Sequence, residues 1–87
     1  MEALEQTGSI QIMLALNKTT ELTLTDLKNK VKCSLSALYT ALGKLKVAGL
    51  IQEDLEDMFP RRRLISLTGK GKKVAEKLEE IELMMSD

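Results

Sequence analysis

A small, mostly helical α+β domain is the fold class that this 87-residue sequence predicts. Three observations predict it. Leu35, Leu38, Leu42 and Leu45 recur at spacings of three and four, with Ala41 and Ala48 beside them, which gives a helix one apolar face. Past Gly49 the period changes to two, first over Leu50 to Glu56 and again over Arg63 to Leu67, as in paired strands. Finally, Val74, Leu78, Ile81 and Met85 follow a four-three-four spacing along a long last helix. The length allows one domain, residues 1–87, close to the lower limit for a self-sufficient core. With Tyr39 and Phe59 as the only aromatics, that core is aliphatic, and oligomerisation is the expected way to bury more surface.

Taken in order, Met1 to Gln6 is a leader, either frayed or one helical turn. Thr7 or Ser9 caps a first helix that ends near Asn17, with Ile10, Met13, Leu14 and Ala15 on one side. Glu21 to Thr23 is too short for an independent strand and suits an added rung on a sheet formed elsewhere. Thr25 caps a short helix over Asp26 to Val31, and Asp26 suits the positive end of its dipole. After a tight junction at Lys32-Cys33, Ser34 caps the leucine-periodic helix and Gly49 ends it. Two short helices joined by such a turn form a helix-turn-helix. Strands on either side of Asp57-Met58-Phe59-Pro60 then make a β-hairpin, with the proline confining the turn. Thr68 caps the last helix, Gly69 to about Met85.

Formal net charge is zero, but the charges are segregated. Residues 51–60 carry only acids (Glu53, Asp54, Glu56, Asp57), and residues 61–75 only bases (Arg61, Arg62, Arg63, Lys70, Lys72, Lys73). Between Lys28 and Lys46 stand five lysines and no acid, so a local positive field is available on a neutral molecule. The charges of Lys70, Lys72 and Lys73 oppose the dipole at the start of the last helix, which hints at an anionic group nearby. One cysteine and no signal peptide point to a reducing, cytoplasmic setting, and no apolar run approaches the ~20 residues of a membrane span. The chain has no histidine, no base beside Cys33 and no recognisable carboxylate pair, which argues against an enzyme, a metal site or a cofactor. Gly69-Lys70-Gly71-Lys72 lacks the spacing and the Lys-Ser/Thr ending of a phosphate loop. Cys33 reads as a small turn residue rather than a redox switch.

The order helix, short strand, helix, helix, hairpin, helix is that of a winged helix-turn-helix. The stretch SLSALYTALGKLKVAGLI resembles the recognition helix of MarR/PadR-type transcription regulators, and RRRLISLTGKGKKVAEKL is similar to the end of their wing and the start of their dimer helix. The chain lacks the long extra helices of full MarR proteins and the large C-terminal part of many PadR proteins, so it has the look of a short, archaeal- or viral-style form. The resemblance implies a homodimer that binds double-stranded DNA, with helix 35–48 in the major groove and wing 51–67 on flanking DNA. Half-sites would then lie about 10 base pairs apart. A winged helix used for protein–protein contact in a transcription or repair assembly is the alternative, favoured by net neutrality and the acidic strand.

On that resemblance the DNA-facing candidates are Ser34, Ser36, Ala37, Tyr39, Thr40 and Lys44 of the central helix, Lys28 and Lys32 before it, and Arg61, Arg62 and Arg63 of the wing. The helix face has no Arg, Asn or Gln, so direct base readout is expected to be limited, with more weight on phosphates and DNA shape. Cross-strand pairing of the arginines with Glu53, Asp54, Glu56 and Asp57 is the competing expectation. Val74, Leu78, Ile81, Met84 and Met85 are the candidate dimer seam, with the first helix contributing. No small-molecule ligand is expected in so short an aliphatic chain.

Overall fold

The computed structural model describes residues 1–86. Its elements are α1 (Glu2–Glu5), α2 (Ser9–Asn17), β1 (Leu22–Thr23), α3 (Leu24–Lys30), α4 (Leu35–Val47), β2 (Ile51–Leu55), β3 (Arg63–Leu67) and α5 (Gly69–Met85). The antiparallel sheet has the order β1-β3-β2. Glu53 pairs with Ile65 in the hairpin, and Leu22 pairs with Ile65 from the other side. The short rung expected at residues 21–23 is β1.

Three helices, α3, α4 and α5, begin where a side chain satisfies an orphan backbone N–H group. Ser34 Oγ accepts from Ala37 N at 3.1 Å, as the sequence implies. For α3 the cap is Thr23, not Thr25. Thr23 Oγ1 accepts from Asp26 N while Asp26 Oδ2 accepts from Thr23 N, a reciprocal capping box that joins the strand to the helix with no loop. Likewise α2 starts after Gly8, without a side-chain cap from Thr7 or Ser9. Its buried positions are Ser9, Ile12, Met13 and Leu16, one helical face. Of Ile10, Met13, Leu14 and Ala15, Met13 is buried in the core and Ala15 packs against it, while Ile10 and Leu14 lie outside it. This helix is apolar on two sides, one in the core and one facing out.

The core gathers Ile12, Met13, Leu16, Leu27, Leu38, Ala41, Leu42, Leu45, Ile65 and Ala75 between α2, α4, α5 and the sheet. Leu35 was counted with the α4 leucines, but it is 50% exposed. It sits one turn before Leu38 at the free end of the helix, where the body no longer reaches.

The end of α4 and the start of α5 form one knot. Leu50 N donates to Leu45 O and Gly49 N to Lys46 O, with Gly49 at φ 78, a Schellman closure. Lys70 Nζ donates to Ala48 O at 2.9 Å, so this lysine supports the negative end of α4 although it opposes the dipole of its own helix. Thr68 Oγ1 donates to Gly49 O at 2.6 Å and accepts from Gly71 N at 2.9 Å. At Gly71 an added Cβ would stand 1.8 Å from Leu50 O.

The hairpin is held by ion pairs as well as by its ladder. Arg62 Nε reaches Glu56 Oε1 at 2.7 Å, and Arg63 Nε reaches Glu53 Oε2 at 2.5 Å. Lys46 of α4 approaches Glu53 Oε1 at 3.9 Å. Arg61 closes the turn through N–H to Met58 O and donates through Nε to Glu56 O. The hydrogen bond from Arg63 holds the Glu53 carboxyl below the ordinary glutamate value, with the Arg63 and Lys46 charges adding and burial opposing.

Two outcomes follow from these contacts. Gly71→Ala gains up to about 1 kcal/mol of helix propensity, yet its methyl meets a backbone carbonyl that cannot yield. Overpacking of this kind costs about 1–3 kcal/mol or more, so urea unfolding should show a net loss of stability. Because the folded pKa of Glu53 is depressed, its stabilisation is complete above the unfolded value of about 4.3 and is lost as pH falls through the lower folded value. The melting temperature of the wild type should therefore drop more on acidification across that window than that of Glu53→Gln; equal drops would remove the pair from the account.

Candidate nucleic-acid interface

The outward side of α4 is built from small residues because the four core positions, Leu38, Ala41, Leu42 and Leu45, occupy the opposite side. Ser36, Thr40, Gly43 and Lys44 are exposed, and Ala37 is half-buried. Thr40 Oγ1 donates to Ser36 O at 3.0 Å, so this hydroxyl presents its acceptor side and its methyl rather than its proton. Ser34 is committed to the cap, which leaves Ser36 as the hydroxyl free of an intramolecular bond on this face. Lys44 Nζ donates to Gln6 Oε1 at 3.2 Å, a neutral partner that leaves its charge intact. Gly43 has nothing within 4 Å of an added Cβ.

Tyr39, 43% exposed, and Leu35 stand on α4 one turn apart. Val47 is exposed farther along, and Tyr39, Thr40, Gly43, Lys44 and Val47 line an apolar groove of about 580 Å³ against Glu2 and Ala3. Leu35 was missed as a surface residue. Its position directly after the cap was the available signal, since the first turn of a helix lies at the margin of the body it packs on.

The three arginines divide. Arg62 and Arg63 are in carboxylate pairs, whereas Arg61, at φ 53, makes no salt bridge among the described residues. Four acids against Arg61, Arg62 and Arg63 leave the wing segment formally at −1. The competing expectation of cross-strand pairing is thus realised for two of the three. Met58 and Phe59 protrude at the tip. Lys28 is exposed on α3. Lys32 lines a cleft with Lys18 and Lys30 between α2 and α3.

The terminal seam also divides. Val74 and Leu78 are half-buried and pack on the chain's own core, which corrects their assignment as wholly intermolecular residues. Asn17 Nδ2 donates to Glu79 Oε2 at 2.6 Å and fastens α2 to α5 at that level. Beyond it, Ile81 is 51% exposed and Met84 and Met85 about 80%. Ile10 and Leu14, the side of α2 turned from the core, join Leu78, Ile81 and Met85 around an apolar groove of about 380 Å³.

No helix of the described residues is long and apolar enough to cross a membrane. No curated protein matches the sequence. Among solved structures, ytfH from Salmonella typhimurium superimposes with a TM-score of 0.83 at 21% identity, covering 97% of this chain and 75% of that one. A MarR-family protein from Porphyromonas gingivalis W83 gives 0.80 at 23% identity, over 100% and 87% of the two chains. The transcriptional regulator YodB from B. subtilis in its reduced form gives 0.81 at 16% identity, over 94% and 80%. These identities establish a shared fold, the winged helix that the MarR/PadR resemblance implied. The family model described as HxlR-like helix-turn-helix matches residues 4–87. The chain therefore belongs to the HxlR-like helix-turn-helix family, whose members are DNA-binding regulators of transcription and not enzymes.

Proposed function

We propose that the protein is a homodimeric regulator that lays α4 of each subunit into successive major grooves, with the wings on flanking DNA. The observation that carries this reading is Gly43. A glycine inside a helix costs about 0.5–1 kcal/mol relative to alanine, and nothing in the chain occupies the space its side chain would fill. A helix that gives up stability on its open face, amid Ser36 and Thr40, is suited to close approach by another body. The duplex is the body that the family implies. Phosphate contacts fall to Lys44, Lys28 and Arg61, whose charges have no carboxylate partner among the described residues. Ser34, Tyr39 and the backbone of the first turn add neutral donors, with Ala37 permitting approach at the edge. Lys32, set in its cleft, and Arg62 and Arg63, held by glutamates, have secondary roles in DNA contact. Ile81, Met84 and Met85 with Ile10 and Leu14 supply the dimer seam, and Val74 and Leu78 anchor it from within.

The neutralised wing favours one second reading, a winged helix that binds protein. Salt separates the two, because each phosphate contact adds about 0.9 to the slope of log K on log salt.

Gly43→Ala should raise stability by about 0.5–1 kcal/mol while weakening duplex binding; a variant more stable and equally tight would remove the argument. Lys44→Ala and Arg61→Ala should each lower the salt slope by about 0.9, and Arg62→Ala should leave it unchanged. Fluorescence anisotropy titrations at several salt concentrations read both effects. Ile81→Asp should sediment as a monomer with poor affinity, whereas a dimeric variant would take the end of α5 out of the interface.

A further inference from the structure

Leu35 is the first residue of α4, directly after the capping serine, and half of its surface is open to solvent. It lies outside the buried core cluster and the partly buried residues packed on it. Its flanks are Ser34, with its hydroxyl engaged in the cap, and Ser36, short and exposed. The start of a recognition helix is the part that meets base edges in a helix-turn-helix complex. In the major groove an aliphatic side chain has one complementary feature to find, the C5 methyl of thymine, which cytosine and the purines lack.

We propose that Leu35 is a specificity-determining residue that reads thymine by burying its C5 methyl, resting on the DNA-binding function above. Small neighbours let the helix descend far enough for a branched four-carbon chain to reach the groove floor. The face thereby acquires sequence preference although it carries no bidentate side chain. The selected half-site should contain a thymine opposite the start of α4, invariant among bound sequences.

The test starts from duplexes selected out of a random pool with the wild-type protein. In the best of them each thymine is replaced in turn by deoxyuridine, which removes the methyl and keeps every hydrogen bond. At one position per half-site the wild type should lose about four-fold in affinity, the value of one buried methyl. Leu35→Ala should bind thymine and uracil equally there. Leu35→Met, which keeps apolar reach, should retain the preference, and Lys28→Ala should weaken both duplexes without changing their ratio. Melting curves identify any variant that has lost its fold. Uracil tolerated at every position, or a preference that survives in Leu35→Ala, overturns the assignment of Leu35 alone. Enrichment of no duplex at all overturns the DNA-binding reading together with it.

Discussion

The contact between Gly71 and the carbonyl of Leu50 is the constraint on which the arrangement of the molecule depends. Only a residue without a Cβ lets the first turn of α5 rest on the chain that leaves α4. Thr68 then serves both helices, donating to Gly49 O just past the end of α4 and accepting from Gly71 N in the first turn of α5. Lys70 adds a cation at the negative end of α4. These bonds and the Schellman closure at Gly49 leave little freedom between the two helices. In the proposed dimer α5 carries the seam and α4 the DNA face, so this junction converts the geometry of one into the spacing of the other. A rigid junction is what lets a two-fold axis at α5 fix the distance between two recognition helices.

Electrostatics give the molecule a second character. Charges segregated along the sequence come together in space: the acids of β2 meet the bases of β3, and Glu53 also approaches Lys46 of α4. Such exposed pairs contribute little stability, roughly 0–1 kcal/mol each, but they consume charge. Among the described residues, the cations left without carboxylate partners include Lys44 alone on α4 and Arg61 at the wing tip, while Lys18, Lys30 and Lys32 share the cleft between α2 and α3. Phosphate attraction from α4 and the wing tip alone is modest. On the proposed reading affinity comes from fit, and the open face of α4 offers the small side chains of Ser36 and Thr40 and the bare backbone of Gly43.

Much of this was legible in the sequence, for identifiable reasons. The helix 35–47, the hairpin and the terminal helix follow from period changes bounded by Ser34, Gly49, Pro60 and Thr68, signals that act locally and need no tertiary context. The bounds of α5 emerged as predicted because Thr68 caps it and no competing cap lies near. What failed was non-local. Thr23 displaced Thr25 because β1 pairs with β3 and delivers the chain to the helix two residues sooner than the helical pattern alone suggests. Ile10 and Leu14 share one side with Met13 in the helical pattern, but α2 is apolar on two sides, and periodicity cannot say which side meets the core. Leu35 shares the spacing of the buried leucines and differs in being the first residue of the helix, where half of its surface stays open. The division of the arginines depends on cross-strand register, which pairs Leu55 with Arg63 and so sets Glu53 and Arg63 on one face; no composition argument contains it.

The two-sided character of α2 links stability to assembly. One face, Ile12, Met13 and Leu16, closes the subunit core, and the neighbouring face, Ile10 and Leu14, meets the exposed end of α5. A chain of this size buries a limited fraction of its surface alone, and the aliphatic strip of Ile10, Leu14, Ile81 and Met85 is continuous with the helix that builds its core. In the proposed dimer, pairing two such strips would stabilise each subunit while joining two weakly binding helices into one ligand. Once the first helix is in its groove, the second meets DNA at the high effective concentration set by the linkage between subunits. A recognition face with little charge is then sufficient, provided that the dimer holds. Subunit association, more than any single base contact, is the quantity to which occupancy of a DNA site should respond most steeply.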